Sequence, residues 1–294
     1  MLAQSFLTRI NNNDILVADG ATGTNLITRG LPSGVTAESW VIEQPERIIQ
    51  LHMDFINAGA DIILTSTFSA NPIRLKNSLL EGKSDYINRK AVELAQTAAE
   101  GSQVYIAGSL GPVGQLLKPY GPLEVDEVQA AYAEQARALT EAGVNLLVIE
   151  TQFDMAEIKA AIQGVRLAGN LPLVVSLSYD RGKRTMMGVS PSQAGKELEG
   201  MPVDLIGINC GRSLEENLNN LVELRQATTK PIWFKPNAGL PHLASLDKTV
   251  YDITPEKMGS LVPSWLDAGA QIIGGCCGTS PEHLEEISRQ VKIK

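Results

Sequence analysis

The sequence predicts a single (β/α)8 barrel of the TIM type spanning residues 1–294. Three observations predict it. Eight short apolar runs recur along the chain, stretches of helical periodicity separate most of them, and the chemically unusual residues sit just after the runs. A chain of 294 residues is also close to the roughly 250 that such a barrel needs, and can bury a large core without disulfides.

The runs are Ile15–Asp19, Asp61–Thr65, Val104–Ser109, Asn145–Glu150, Leu173–Ser178, Leu205–Asn209, Ile232–Lys235 and Gln271–Gly275. Each is short and rich in Val, Ile or Leu, as a parallel strand covered on both faces requires. Apolar residues three and four apart predict helices over Pro45–Ala58, Asn88–Glu100, Val125–Ala142, Met155–Ala168, Leu214–Thr228 and Pro255–Ala268. Gly59, Gly143 and Gly269 stand where left-handed helix ends would lead into the next strand. An open doubly wound sheet is the competing architecture, but it gathers its ligand loops at one switch point, whereas here special residues follow nearly every run. The long segments Pro112–Val125 and Asn237–Tyr251 should arch over that same face as lid or partner-docking loops.

Hydrophobic residues make up 44% and charged residues 20%, the balance of a soluble globular protein. A net charge of −8 without a Lys/Arg cluster argues against nucleic acid or an anionic membrane surface as a partner. The first residues lack the basic and apolar regions of a signal peptide, and no run is long enough to span a bilayer, so a cytoplasmic location is expected.

The chain has three cysteines, Cys210, Cys276 and Cys277. They follow the sixth and eighth runs, so barrel closure should bring all three sulfurs to one face. Three thiolates with one open position make a catalytic zinc site. Gly211, Gly274, Gly275 and Gly278 would let the backbone bend so that adjacent cysteines aim the same way. A redox-active vicinal pair and plain buried thiols are the alternatives.

Asp19 opens the turn Asp19-Gly20-Ala21-Thr22-Gly23-Thr24, and Glu150 ends the fourth run. Two acids beside a nest of backbone N–H groups suit a zwitterion, with Asp19 and Glu150 on an ammonium and the turn at Gly20, Ala21 and Thr22 on a carboxylate. That predicts an amino-acid substrate. Helix capping by Asp19 and an ion pair by Glu150 are the plainer readings. Thr67 and Asn237 add polar groups to the rim; Asn237 is a candidate for contacting substrate or for lending its amide oxygen to the metal, with loop capping as the alternative. His52, His242 and His283 lack metal-ligand spacing and read as surface or packing residues.

With Asp19-Gly20-Ala21-Thr22-Gly23-Thr24, Glu150-Thr151, Asn209-Cys210, Pro236-Asn237-Ala238-Gly239 and Gly274-Gly275-Cys276-Cys277-Gly278-Thr279 in this order, the chain resembles the homocysteine S-methyltransferase family. The last two motifs are most similar to the homocysteine-binding module of cobalamin-dependent methionine synthase, whereas Ser66-Thr67-Phe68 departs from the Asn-Thr-Phe of that branch. The resemblance implies one zinc on the three cysteines, L-homocysteine as methyl acceptor and methionine as product. It also implies a methylated corrinoid, such as methylcobalamin on a separate protein, as donor, because only fifteen residues follow Thr279. A small-molecule donor such as S-methylmethionine or betaine is the enzymatic alternative, and few aromatics stand in the rim loops to cage betaine. A non-catalytic zinc-binding barrel and a redox switch are the alternatives of another class.

Overall fold

All eight apolar runs become strands in the computed structural model, which describes residues 2–32, 34–245 and 248–293. They are β1 (Leu16–Val17), β2 (Ile62–Leu64), β3 (Tyr105–Leu110), β4 (Leu146–Gln152), β5 (Leu173–Leu177), β6 (Leu205–Cys210) and β7 (Ile232–Pro236). A two-stranded hairpin, β8 (Pro241–Ser245) and β9 (Lys248–Tyr251), intervenes before the last barrel strand, β10 (Ala270–Ile273).

The barrel strands are parallel and ordered β1-β10-β7-β6-β5-β4-β3-β2. A parallel bridge from Ala18 to Ile62 joins the two ends of this sheet, with Asp19 N–H donating to Ile62 O at 2.9 Å and Asp61 N–H to Val17 O at 2.7 Å. The sheet therefore closes into a (β/α)8 barrel, and the open-sheet alternative falls.

The six expected helices form, four of them with a boundary shift of a few residues, as Pro45–Asn57, Ser84–Ala98, Val125–Ala142, Met155–Ala168, Leu214–Ala227 and Pro255–Asp267. Gly59, Gly143 and Gly269 have φ of 99°, 99° and 96°, the left-handed helix exit expected of them. The crossover from β5 to β6, Pro191–Glu199, is one helix the periodicity did not announce. It is short, and its start is fixed by Ser190, whose hydroxyl accepts from Gln193 N–H, and by Pro191 in the first turn.

Side-chain alternation along the strands fills the barrel. Leu16, Ile62, Leu64, Tyr105, Ala107, Leu146, Val148, Val174, Leu205, Trp233 and Ile272 form the inner cluster. Their neighbours Val17, Ile63, Ile106, Leu147, Val175, Ile206, Phe234 and Ile273 face the surrounding helices. The short helix Phe6–Asn11 plugs the bottom with Phe6 and Ile10, Phe6 meeting Tyr105 edge-on at 5.7 Å. Each large side chain buried in this way contributes about 1.5–3 kcal/mol. Counting two residues on from this plug reaches Ser66, Ser109, Glu150, Ser176 and Lys235, and counting four on from Leu205, past Gly207, reaches Asn209. These polar side chains form the floor of the opposite mouth.

Among the described residues, no helix is long and apolar enough to cross a membrane.

Candidate metal and substrate site

The three sulfurs converge. Cys210, Cys276 and Cys277 offer Sγ atoms within 4.8 Å of one another, and Cys210 and Cys276 approach to 2.9 Å. They form the one cluster of potential metal ligands among the described residues. The chain bends sharply to achieve this. Cys210 ends β6 with φ of 59°, a left-handed conformation that costs a non-glycine residue on the order of 1–3 kcal/mol. Asn217 secures the bend by donating its side-chain amide to Cys210 O at 2.7 Å. The vicinal pair lies beyond the regular part of β10, in a turn where Thr279 donates N–H to Cys276 O at 3.1 Å and its hydroxyl to the same oxygen at 2.6 Å. Gly278 completes the turn with φ of 82°, and a side chain there would enter the ring of Tyr251. Cys276 N–H donates to Pro236 O at 2.9 Å, and Cys277 O accepts from Ala238 N–H at 2.9 Å, so β7 anchors the pair.

Asn209 ties the cluster to the barrel. It is fully buried, and its amide nitrogen lies 3.6 Å from Cys210 Sγ and 3.8 Å from Cys276 Sγ. The same nitrogen donates to Thr151 Oγ1 at 2.7 Å, while its oxygen accepts from Thr151 N–H at 2.9 Å and Ser176 Oγ at 2.7 Å. Thr151, like Cys210, has a positive φ, at 60°.

The thiols cannot all ionise side by side. Hydrogen bonds from Cys210 and Cys276 pull Cys277 down to about 3. In Cys276 the bond from Cys210 pulls down, but Cys277 and burial prevail and push it up to about 12. Cys210 rises well above the ordinary thiol value through its bonds to Cys276 and Cys277 and through burial. The three thiols therefore oppose one another's ionisation, and a soft divalent cation is the partner that would let all three ionise. The donor set fits such an ion: three sulfurs, with no carboxylate or imidazole among them. Asn237 adds a buried amide oxygen with no hydrogen-bond partner among the described residues, while its nitrogen donates to Gly211 O at 2.8 Å.

The sulfurs line a cavity of about 480 Å³ whose wall also includes Asp19, the Gly20–Thr24 turn, Ser66, Phe68, Ser109, Glu150 and Lys235. Asp19 and Glu150 thus reach the same cavity as the thiols. Asp19 does not cap the helix that follows; its oxygens accept from Lys235 Nζ at 2.6 Å and Leu64 N–H at 2.7 Å. Burial raises its pKa against the opposing pull of Lys235 and Leu64. Glu150 accepts from Ser109 Oγ at 2.5 Å, and burial lifts its pKa to about 7 although Lys235 pulls it down. Lys235 is 3% exposed; burial opposes its charge, but Asp19 and Glu150 together raise its pKa.

Not every residue singled out in the sequence reaches the cavity wall. Thr67 is fully buried behind it, its hydroxyl donating to Ser109 O at 2.8 Å and sharing a 2.7 Å bond with Thr65 Oγ1. Ser66 stands in the wall instead, with a buried hydroxyl that has no partner among the described residues. Asn237 lies beside the cysteines rather than in the wall, its N–H donating to Cys210 O at 3.3 Å. Asn209, Ser109 and Lys235 were not singled out as site side chains, yet two-residue alternation up each strand from the apolar plug points to all three.

The loops behave unequally. Residues 237–251 hold the β8–β9 hairpin, of which 246 and 247 lie outside the described residues. Its last residue, Tyr251, sets its ring against Gly278, directly after the vicinal cysteines. Residues 112–125 leave the end of β3 and place Tyr120 75% exposed. His52 is buried on a helix, His283 bonds Ser280 and Ile253, and His242 is exposed near Asp252, so no histidine joins the thiols.

A family model described as homocysteine S-methyltransferase matches residues 16–291. The methionine synthase of Mycobacterium leprae (strain TN) is 28% identical over 94% of the chain, which spans 24% of that relative's length. The metallated crystal structure of the homocysteine methyltransferase MmuM from Escherichia coli superposes with a TM-score of 0.82 at 27% identity, covering 96% of this chain and 98% of that one. The oxidized form of the same enzyme gives 0.81 at 27% identity, covering 96% and 97%.

Proposed function

The chain belongs to the homocysteine S-methyltransferase family, and from that premise we propose that it transfers a methyl group to the thiol of L-homocysteine, giving methionine. The observation that carries the proposal is the convergence of Cys210, Cys276 and Cys277 at one end of a cavity whose other walls carry Asp19, Glu150 and Lys235. In this reading the three cysteines hold zinc, which favours the thiolate form of a sulfur ligand at neutral pH.

The chain's own residues do the rest. Glu150, with Asp19 behind it, faces the α-ammonium, and the Gly20–Thr22 turn faces the carboxylate. Fixing the amino-acid end leaves the substrate sulfur one approach to the methyl carbon. A carbon–sulfur bond forms there, the thiol proton leaves to solvent, and the donor departs with the electron pair of its bond to carbon. Asn209 stabilises charge on Cys210 and Cys276 with its amide. Asn237, whose side-chain oxygen has no hydrogen-bond partner among the described residues, would be the residue able to add an oxygen ligand beside the three cysteines.

The proposed donor is a methyl group carried on a corrinoid protein. The likeness to a methionine synthase supports it, and so does the wall, where Phe68 is the one aromatic among the described lining residues. A quaternary ammonium such as betaine would favour an aromatic cage. A second reading, in which the donor is a small molecule such as S-methylmethionine, keeps the same three cysteines and the same cavity. Methionine formation from homocysteine, assayed with a methylated corrinoid protein, S-methylmethionine and betaine in turn, tests both. Turnover with the first supports the proposal, turnover only with a small molecule reassigns the donor, and none with any donor contradicts methyl transfer.

A further inference from the structure

Lys235 holds a buried positive charge in the cavity wall that the proposed function leaves without a task. It faces inward because it follows Trp233 by two residues on β7 and Trp233 belongs to the barrel plug. The indole lies below it, with Nζ 5.7 Å from the ring. An ammonium carries three donors. Among the described residues, one hydrogen bond is seen from Nζ, to Asp19 Oδ1 at 2.6 Å.

The charges around the cavity then follow an order. Both oxygens of Asp19 are engaged, by Lys235 and by Leu64 N–H. Glu150 is left as the acid free to meet an ammonium, with Ser109 on one of its oxygens. The carboxylate side is less complete: within the turn that should receive it, Ala21 already donates its N–H to Thr279 O at 3.1 Å. A buried carboxylate with too few donors is costly, and one further charged donor removes that cost.

We propose that Lys235 is a specificity residue that binds the carboxylate of the amino-acid thiol, so that Lys235 and Glu150 read the two ends of the zwitterion while Asp19 orients Lys235. The inference rests on the proposed function and adds to it which group recognises the acid end. It implies that thiols lacking a carboxylate are poor ligands because Lys235 is left unanswered.

The test is competitive binding to the metal-loaded chain by three thiols: L-homocysteine, 3-aminopropane-1-thiol, which lacks the carboxylate, and 4-sulfanylbutanoate, which lacks the ammonium. The wild type should favour homocysteine over 3-aminopropane-1-thiol by about ten- to hundredfold, the range of a charge-assisted hydrogen bond. In Lys235→Met that preference should shrink to within about threefold, the preference over 4-sulfanylbutanoate should persist, and Lys235→Arg should restore much of the discrimination. Because Lys235→Met leaves Asp19 buried without its partner, Asp19→Asn/Lys235→Met is measured beside it and should lose the same discrimination. Unchanged preference for the carboxylate in both variants overturns the inference, as does tighter homocysteine binding, which would mean that Lys235 competes for the ammonium site. Failure of the wild type to bind homocysteine at all overturns the functional reading, and this inference with it.

Discussion

Asn209 grips Thr151 from both sides: its oxygen accepts the Thr151 N–H at 2.9 Å and its nitrogen donates to the Thr151 hydroxyl at 2.7 Å. Through this contact β6 holds the left-handed end of β4, directly beside two of the cysteines. Asn209→Ala removes both bonds and leaves Ser176 Oγ without its acceptor. A loss of about 2–3 kcal/mol in denaturant unfolding is expected. Metal affinity, read by chelator competition, should fall about 10–100-fold, as when a group that orients metal ligands is lost. Asn209→Asp should recover more stability than affinity, because it keeps the acceptor but not the amide donor.

Glu150 links substrate binding to pH. Burial raises its pKa to about 7, so below that pH it is protonated and cannot pair with an ammonium. Homocysteine affinity should therefore weaken as pH falls through 7, while 4-sulfanylbutanoate, with the same thiol but no ammonium, serves as the control. The ratio of the two affinities should be flat with pH in Glu150→Gln, and that variant should retain its metal. The stability effect has the opposite sense: a carboxyl whose folded pKa exceeds its unfolded value loses stability as pH rises through about 7. Glu150→Gln should melt higher than wild type at pH 8 and show little gain at pH 5.

Ser66 and Thr67 separate binding from support. Ser66 lines the cavity and has a buried hydroxyl without a partner among the described residues, whereas the Thr67 hydroxyl bonds Thr65 and Ser109 behind the wall. Ser66→Ala is expected to raise the KM for homocysteine about tenfold with little change in melting temperature. Thr67→Val should lower stability by about 1–2 kcal/mol. Steady-state kinetics and thermal melts on the two variants decide between the positions.

His52 imposes an acid limit on the fold. It sits on the buried face of Pro45–Asn57 beside Ile48, Leu51 and Phe55, with neither ring nitrogen partnered among the described residues, and burial lowers its pKa to about 4. A folded value below the unfolded one means that its contribution is intact above about 6.5 and is lost as pH falls toward 4. The full loss is on the order of 3 kcal/mol. His52→Leu should abolish this segment of the pH–stability curve in urea titrations.

The barrel was legible because parallel strands covered on both faces must be continuous apolar runs, and all eight were found within a few residues of their observed ends. The cysteines, Asp19 and Glu150 were legible because strand ends in a closed barrel share one mouth. Lys235 and Asn209 were readable from the two-residue alternation, since they lie in register above Trp233 and Leu205, but their side-chain types did not advertise it. Ser66 and Thr67 follow β2 on adjacent positions, so one residue of register decides which hydroxyl meets the cavity. The Asp19–Lys235 pair spans 216 positions and only folding brings it together. The Pro191–Glu199 helix carries Gly195 against Ala227, a close approach that favours a small residue where a larger apolar one would mark the stripe.

The most direct test of the account is X-ray absorption at the metal edge of the purified chain, recorded with and without homocysteine. Three sulfur neighbours at about 2.3 Å are predicted for the free chain, rising to four when homocysteine is added, with the metal lost in Cys277→Ala. A chain that forms methionine without metal, or a metal with fewer than three sulfur neighbours and a spectrum indifferent to homocysteine, would contradict it.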